Sequence, residues 1–450
     1  MQRKFNFLLT IFLCVLFYHT TFAQTNDNSP YSRYGIGDLT DNHFGGLRQM
    51  GGLGASYIDA YQLNIVNPAS YSFLNATVFD VGVFAKHTWL NDNINTSKTW
   101  TGNLEYISLA FPLTNPINAR YDGVQKNYKL AMNITLMPHS TVNYNVAFAD
   151  SLAGFPAFTR NYLGNGGTYK LLWGNAINYK NKLSFGLNLG YLFGNLEYER
   201  NILFPSTAYL YNDYFTTDYN VKGFLWNAGI IYSDIINKKA IEENKSLPAK
   251  RISVGINFNS ANSFRTKSNI SHMLEQRITA SVVVQDTVQL VSNVAGKGKL
   301  PAEFGAGVTY YHGEKLAIGF NYSSAFWADY YNEASGESKG SLSTTQKFVL
   351  GGYYRPNYKS FDNYFDRVYY RYGAYYGTDP LVVNDKRIDT YGITFGLGMP
   401  FIFQRKVSSV NLGANLGIRG KNSPISEKFI KISLGVNFND DEWFLKRKYN

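Results

Sequence analysis

The side chains of this sequence best suited to acid–base or metal chemistry are its six histidines: His19, His43, His87, His139, His272 and His312. None stands in an HExxH motif or beside a CxxC pair, so their spacing gives no support for a zinc site. No GxSxG elbow is present to carry a serine nucleophile. The Gly52-Leu53-Gly54 run lacks the third glycine and the preceding strand of a dinucleotide fingerprint. We therefore expect neither enzyme activity, nor a metal, nor a cofactor.

The composition favours β-structure. The chain has 450 residues, of which 45% are apolar and only 17% charged, with 36 Tyr, 32 Phe and 40 Gly. A mean hydropathy of −0.24 excludes a polytopic helical membrane protein, and the many aromatic residues exclude disorder. The formal net charge is +11. In an exported chain this surplus is better suited to anionic lipid headgroups than to nucleic acid.

Residues 1–23 are typical of a secretory signal peptide. Arg3 and Lys4 precede a mostly apolar run over 5–18, and small residues stand three and one before Gln24. The run is shorter than the about 20 residues that a transmembrane helix needs. Cys14, the only cysteine, lies within this peptide, so no disulfide is expected in the mature chain. We expect the chain in the outer membrane of a Gram-negative bacterium.

A short sequence motif, in which apolar residues alternate with small or polar ones, recurs after the signal peptide. It reads KLSFGLNL at 182–189, RISVGINF at 251–258, KLAIGFNY at 315–322 and KISLGVNF at 431–438. One face of each predicted strand is apolar, and the other carries Ser or Ala, Gly and Asn. A soluble sandwich would carry many charges on its second face. An apolar outside and a polar inside are instead typical of a transmembrane antiparallel β-barrel.

This pattern predicts which residues face lipid and which face the lumen. The lipid-facing set is Leu183, Phe185, Ile252, Val254, Ile256, Leu316, Ile318, Ile432 and Leu434. The lumen-facing set is Ser184, Gly186, Asn257, Asn321 and Asn437.

About fourteen strands are predicted within a barrel domain over 75–440, an even number that lets both ends of the barrel chain lie on one side. They fall near 77–90, 102–113, 127–150, 165–180, 182–200, 215–234, 250–264, 299–313, 315–327, 343–356, 366–378, 388–401, 406–420 and 428–440. Tight turns around Asn181, Gly313 and Arg405 fall on one side. Long loops near 201–214, 265–298 and 328–342 fall on the other, although 114–126 and 235–249 are long connections on the tight side. Residues 441–450 are predicted to form a periplasmic tail.

The glycine-rich residues 24–74 do not alternate cleanly, and they are too few to build a core of their own. We expect them to fill the lumen as a plug. Asn67, Pro68 and Ala69 would turn the chain from the plug into the wall, since Pro68 fixes φ and lacks an N–H.

Several motifs resemble one family. Residues 50–55, MGGLGA, and residues 67–70, NPAS, resemble the hatch of FadL/TodX-type outer-membrane transporters. Residues 300–308, 326–330 and 391–400 are also similar to that family. The resemblance implies a fourteen-stranded barrel with an N-terminal hatch that passes hydrophobic molecules inward. Residues 29–37, SPYSRYGIG, are not associated with the transporters of known substrate.

The third predicted strand is interrupted at Pro138. Proline cannot donate to a ladder, and unpaired backbone in lipid costs several kcal/mol per group. The interruption is therefore either a plain turn or a kink that opens the wall, and a turn would upset the even strand count. The transporter resemblance implies a side opening in this strand. We predict a lateral gate at Pro138, with His139 and Ser140 at its rim.

Two functions remain open. One is the passive uptake of a hydrophobic or amphipathic small molecule. The other is a non-transporting accessory or scaffold subunit of a larger outer-membrane assembly, such as a secretion or protein-biogenesis complex. The unfamiliar N-terminal segment, the 265–298 region, the long periplasmic connections and the basic tail favour the second. Expected partners are outer-membrane lipid and either a small-molecule substrate or other proteins, but no nucleic acid.

Overall fold

The computed structural model describes residues 29–443, except 93, 115–126, 155, 206–209, 279–281 and 384–385. The predicted signal peptide over 1–23 and most of the predicted tail lie outside the described residues. Within the described part of the chain, no helix is both long enough and apolar enough to cross a membrane.

Alternating apolar and small polar residues form one antiparallel sheet, in which the described residues contribute nineteen strands. These are β1 (Asp38–Leu39), β2 (Thr77–Asn91), β3 (Thr96–Pro112), β4 (Tyr128–Thr141), β5 (Tyr144–Asp150), β6 (Phe158–Tyr179), β7 (Leu183–Leu203), β8 (Asn212–Ile235), β9 (Lys250–Asn259), β10 (Ser263–Arg277), β11 (Val283–Lys299), β12 (Glu303–His312), β13 (Leu316–Ala325), β14 (Tyr331–Asn332), β15 (Thr345–Tyr354), β16 (Tyr369–Val383), β17 (Lys386–Phe403), β18 (Lys406–Arg419) and β19 (Ser426–Asp440). The short helices are α1 (Gly45–Arg48) and α2 (Lys238–Glu243), with 3-10 turns at Pro30–Arg33, Pro68–Phe73, Trp327–Asp329 and Phe365–Arg367.

The sheet closes on itself because β19 pairs with β2 along its whole length, from Ser426 opposite Asn91 to Asp440 opposite Thr77. β4 continues into β5, β9 into β10, and β11 into β12, so each of these pairs makes one wall strand. β1 and β14 are two-residue strands added to the wall. The wall is therefore a closed barrel of fourteen antiparallel strands, and the predicted fold class is confirmed.

The period-two pattern sorts the side chains as predicted. Phe185, Ile256 and Ile432 are 45%, 47% and 47% exposed on the outer surface, whereas Ser184 and Asn437 are fully buried inside. An apolar outer surface meets lipid without cost, and the inner polar groups hydrogen-bond within the lumen.

Three tight turns define one end of the barrel, called here the turn end. Lys180-Asn181 and Gln404-Arg405 both have positive φ at their two central residues, as two-residue hairpins require, and Gly313 has φ 55°. The connections over 236–249 and 355–368 lie at this end as well, as do residues 113, 114 and 127. The opposite end is called the loop end. The prediction of a loop over 265–298 was wrong, because residues 265–277 belong to β10 and residues 283–298 to β11, which pair with each other.

Residues 29–74 run through the lumen from the loop end to the turn end. At the loop end, Tyr31 and Ile36 join a buried apolar cluster with wall residues. Further along, Met50 packs so closely on Gly351 that a Cβ there would lie 2.1 Å from the Met50 carbonyl oxygen. Gly255 meets the carbonyl of Ala55 in the same way, at 2.0 Å. Wall glycines thus let the luminal backbone approach, which no larger residue would permit.

Candidate functional site

The ladder between β3 and β4 ends part of the way along the two strands, and the place where it ends is called here the opening. Their ladder runs from Pro112 opposite Ala131 to Ile107 opposite Leu136 and ends there. A bulge in β3 directly precedes this point, since Gly82 of β2 pairs with Tyr106 while Val83 pairs with Leu104, which leaves Glu105 unpaired. Bulges bend a strand and re-aim its side chains. Towards the loop end, the 96–106 part of β3 has no strand partner on this side among the described residues.

β4 is also bulged where the ladder with β3 ends. Pro138 still pairs with Tyr169 of β6, but the next pair is Ser140 with Thr168, so His139 is the extra residue. Proline suits this position because a bulge is one of the places in a sheet where a missing N–H is tolerated. The Ser140 hydroxyl lies 2.7 Å from that of Thr168.

The luminal segment covers the exposed edge of β4. In β1, Asp38 pairs with Thr141 and Leu39 with Ser140. The Thr40 N–H donates to the His139 carbonyl at 2.9 Å. The rim backbone that lipid could not satisfy is therefore satisfied by residues 38–40 from inside the barrel.

A cavity of about 1160 Å³ lies behind this opening. Its walls include Gly102 and Asn103 on the β3 side of the opening, and Pro138 and His139 on the β4 side. The lining includes the apolar side chains Leu39 and Val142, the cations Lys86, Lys170 and Lys347, and carboxylates such as Asp41 and Glu303. Such a lining can hold a molecule that has both an apolar part and a polar or charged part.

Buried ion pairs hold the luminal segment next to the cavity. Arg48 of α1 contacts the carboxylate of Glu105, the bulged residue of β3. The Lys431 ammonium reaches the same carboxylate at 2.8 Å. The bulge thus turns a charged side chain inward, where it anchors the segment. Removing one member of such a group leaves a buried charge without a partner.

Asp41 and His43 contact each other beside this group. Burial alone would raise the pKa of the Asp41 carboxyl, but His43, Lys347 and Arg48 together hold that pKa well below its ordinary value. Burial lowers the pKa of the Arg48 guanidinium, against the attraction of Asp41.

A second ionic cluster ties the segment to the loop end. Arg419 lies 2.9 Å from Asp38, 2.7 Å from Asp379 and 3.7 Å from Glu427. Its guanidinium also stacks 4.7 Å from the centre of the Tyr31 ring. One cation therefore forms ion pairs with three largely buried carboxylates, and one of these, Asp38, belongs to β1.

The predicted turn residues lie at the turn end of the lumen. The buried Asn67 amide donates to the carbonyls of Ala55 at 2.6 Å and Ile256 at 3.1 Å, and its oxygen accepts from the Ala69 N–H. Asn67 is the N-cap of the Pro68–Phe73 turn, with Pro68 at the first position, where its missing N–H costs nothing. A Cβ on Gly186 of β7 would lie 2.2 Å from the carbonyl carbon of Pro68.

The predicted turn residues therefore contact β7, β8 and β9, whereas the predicted gate residues belong to β4, so the structure does not bring the two sets into one site. Sequence reasoning missed the ionic residues Asp38, Arg48, Glu105 and Arg419. Their one visible signal was a charge on the small, polar face of a predicted strand, as at Glu105 and Arg419. The described residues include no group of three His, Cys, Asp or Glu side chains placed to bind a metal.

A closed fourteen-stranded antiparallel wall with an apolar outer surface defines a transmembrane β-barrel of the outer-membrane type. Over residues 1–450 the sequence matches the family model described as BamG, and the chain belongs to that family. No curated protein matches the chain.

Solved channel structures share the fold. The CymD monoaromatic hydrocarbon channel superposes with a TM-score of 0.53 at 15% identity, covering 90% of this chain and 98% of that one. The Ralstonia pickettii toluene transporter TbuX gives 0.54 at 12% identity, with coverages of 89% and 99%. A Pseudomonas aeruginosa FadL homologue gives 0.58 at 11% identity, with coverages of 89% and 99%. The predicted likeness to FadL/TodX-type transporters therefore holds for the fold, whereas the family is BamG.

Proposed function

We propose that the chain is a passive outer-membrane channel for amphipathic small molecules, which cross the wall between β3 and β4. The observation that carries this proposal is the opening beyond the Ile107–Leu136 pair, since the cavity behind it is lined from both of its sides. A molecule in such a cavity could pass into the bilayer without crossing the luminal segment.

The cavity lining favours an amphipathic solute over a pure hydrocarbon. The Lys170 ammonium lies 2.5 Å from the Asn42 side-chain oxygen and has no ion-pair partner among the described residues. Lys86 and Lys347 lie over the rings of Phe429 and Tyr375, at 4.8 and 5.4 Å. An anionic head beside these cations and an apolar tail at Leu39 would match the lining.

β1 is the proposed gate. Residues 38–40 hold it to β4 through a few backbone hydrogen bonds, and the Asp38–Arg419 ion pair must also separate for it to leave. At a net ~1 kcal/mol for each hydrogen bond and about 3–5 kcal/mol for a buried ion pair, the open gate is a minor state of the resting barrel.

A disulfide between β1 and β4 tests the gate. Leu39 and Ser140 are directly opposed, a placement that suits a disulfide. In a Cys14→Ser background, Leu39→Cys/Ser140→Cys should take up a dansyl-labelled fatty acid into vesicles when reduced and lose most of that uptake when oxidised. Ala414→Cys/Ile432→Cys, opposed in the closed part of the wall, is the control and should be unaffected. Equal uptake by the oxidised and reduced gate variant would overturn the proposal.

A second candidate function, an accessory subunit that binds another protein, is favoured by β11. One edge of β11 pairs with β10, but from Val283 to Gly296 no described strand pairs with its other edge. Val288 and Leu290 are 53% and 70% exposed there. Long, apolar, unprotected edges are avoided in monomeric proteins and are sites of strand addition.

Photocrosslinking from the β11 edge tests this second candidate. A crosslinker at Val284 should give a stoichiometric adduct with one defined protein in the native membrane. Val288→Lys/Leu290→Lys should abolish the adduct, whereas Gln285→Lys/Gln289→Lys, with the same added charge on the same strand, should retain it. Absence of any adduct at several β11 positions would exclude an accessory role through this edge.

A further inference from the structure

Three cationic residues stand directly opposite one another on three neighbouring strands. Arg265 of β10 pairs with Lys222 of β8 on one side and with Lys297 of β11 on the other. Lys267 follows two residues along β10, on the same face. Side chains opposed in this way have Cβ atoms about 5 Å apart, and like charges so placed repel each other. The sheet therefore carries a row of like positive charges.

The row faces outward. Lys222, Arg265 and Lys297 are exposed, while the flanking Val221 and Phe264 are buried in the luminal cluster. None of the three has an ion-pair partner within the part of the chain that the structure describes. Two acidic side chains nearby make hydrogen bonds and no ion pair with the row: Asp218 accepts from the Asn269 amide at 2.9 Å, and Glu333 accepts from the backbone N–H of Lys297 at 2.7 Å.

The strand lengths place the row just outside the hydrocarbon layer. β9, β12, β13 and β15 have 10 residues each, the length that a tilted strand needs to span a bilayer. β10 and β11 continue from β9 and into β12 beyond this span, and the row lies near the base of the extension. The residues next to the row are aromatic and outward-facing: Tyr191, Phe193, Phe224 and Trp226. Phe193 is directly opposed to Lys222.

Aromatic side chains lie at the boundary between the acyl chains and the headgroups of a membrane, and cations lie beside the phosphate groups further out. The aromatic residues and the row follow each other in the same order. We infer that Lys222, Arg265 and Lys297 form a binding site for the phosphate groups of an outer-leaflet glycolipid, with Phe224 and Trp226 against its acyl chains. A bound phosphate relieves the repulsion along the row, and Arg265 at its centre suits bidentate contact with phosphate oxygens.

Titration of the purified full-length barrel in detergent tests this site, with bound lipid counted by native mass spectrometry. Bisphosphorylated lipid A should bind the wild type, and Lys222→Gln/Arg265→Gln/Lys297→Gln should bind it ~100-fold more weakly, at ~5-fold for each charge lost near a headgroup. The control Lys239→Gln/Lys245→Gln/Lys250→Gln removes three exposed cations at the turn end and should bind as the wild type does.

Two further probes separate the sources of phosphate. Dephosphorylated lipid A should bind the wild type and the triple variant equally weakly, because it has no phosphate for the row to contact. Inorganic phosphate should compete with lipid A only at a much higher concentration, because it lacks acyl chains. Equal binding of lipid A by the triple variant and the wild type would overturn the site. Competition by inorganic phosphate at the concentration of the lipid itself would overturn the assignment to a lipid. Loss of an acidic protein, but not of lipid A, from the triple variant would also overturn it.

Discussion

Ile107 and Leu136 form the last pair of the ladder between β3 and β4, and each is followed by a bulge within three residues: Glu105 in β3 and His139 in β4. The two bulges have complementary consequences. The first directs Glu105 inward, where Arg48 and Lys431 contact it. The second leaves the His139 carbonyl to accept from Thr40. The opening in the wall and the anchoring of the luminal segment therefore depend on the same local distortions.

Replacing Arg419 should release the luminal segment at the loop end. Arg419→Gln leaves Asp38, Asp379 and Glu427 without their shared cation, and breaking a buried ion pair from one side costs about 3–5 kcal/mol. Trypsin cleavage after the buried Arg48 should become faster, and the midpoint of urea unfolding should fall. Lys428→Gln removes an exposed cation from neighbouring β19 and should change neither measurement. Unchanged protection of Arg48 in Arg419→Gln would show that the cluster does not hold the segment.

The wall could be predicted from the sequence because its strands obey one local rule. Wherever lipid lies outside and a packed lumen inside, alternation shows in each short segment, as at Phe185 and Ser184. The rule fails over much of 265–298, because β11 is exposed on both faces from Val283 to Ala295 and no alternation is required there. The ionic clusters could not be predicted for another reason. Asp38 meets Arg419, and Arg48 meets Glu105, only after closure brings together residues far apart in the chain.

An arginine in the outward-facing middle of β19 should destabilise the barrel. Leu434 is opposed by Leu412 on one side and by Val83 on the other, near the centre of its strand. Leu434→Arg should cost about 2–4 kcal/mol in reversible folding into lipid vesicles, because a charge at the bilayer midplane is poorly solvated. Ile430→Arg, four residues nearer the loop end, should cost only about 0–1 kcal/mol. Equal costs at the two positions would mean that Leu434 does not lie near the midplane.

Asn67 and Gly229 should be energetically coupled. A Cβ on Gly229 would lie 2.0 Å from the Asn67 side-chain oxygen, so Gly229→Ala forces the Asn67 amide away from its partners. Overpacking of this kind costs about 1–3 kcal/mol. Asn67→Ala loses the hydrogen bonds to Ala55 and Ala69 and should also cost about 1–3 kcal/mol, since it leaves buried backbone groups unpaired.

The double variant Asn67→Ala/Gly229→Ala should be destabilised by clearly less than the sum of the two single variants. Once the Asn67 amide is gone, the new methyl group enters the space that it occupied, which should appear as a coupling of about 0.5–3 kcal/mol in urea unfolding. Gly351→Ala provides the matched control, because a Cβ there meets the Met50 carbonyl instead. Its cost should simply add to that of Asn67→Ala. Additivity in both pairs would show that Asn67 does not fasten the luminal segment against Gly229 of β8.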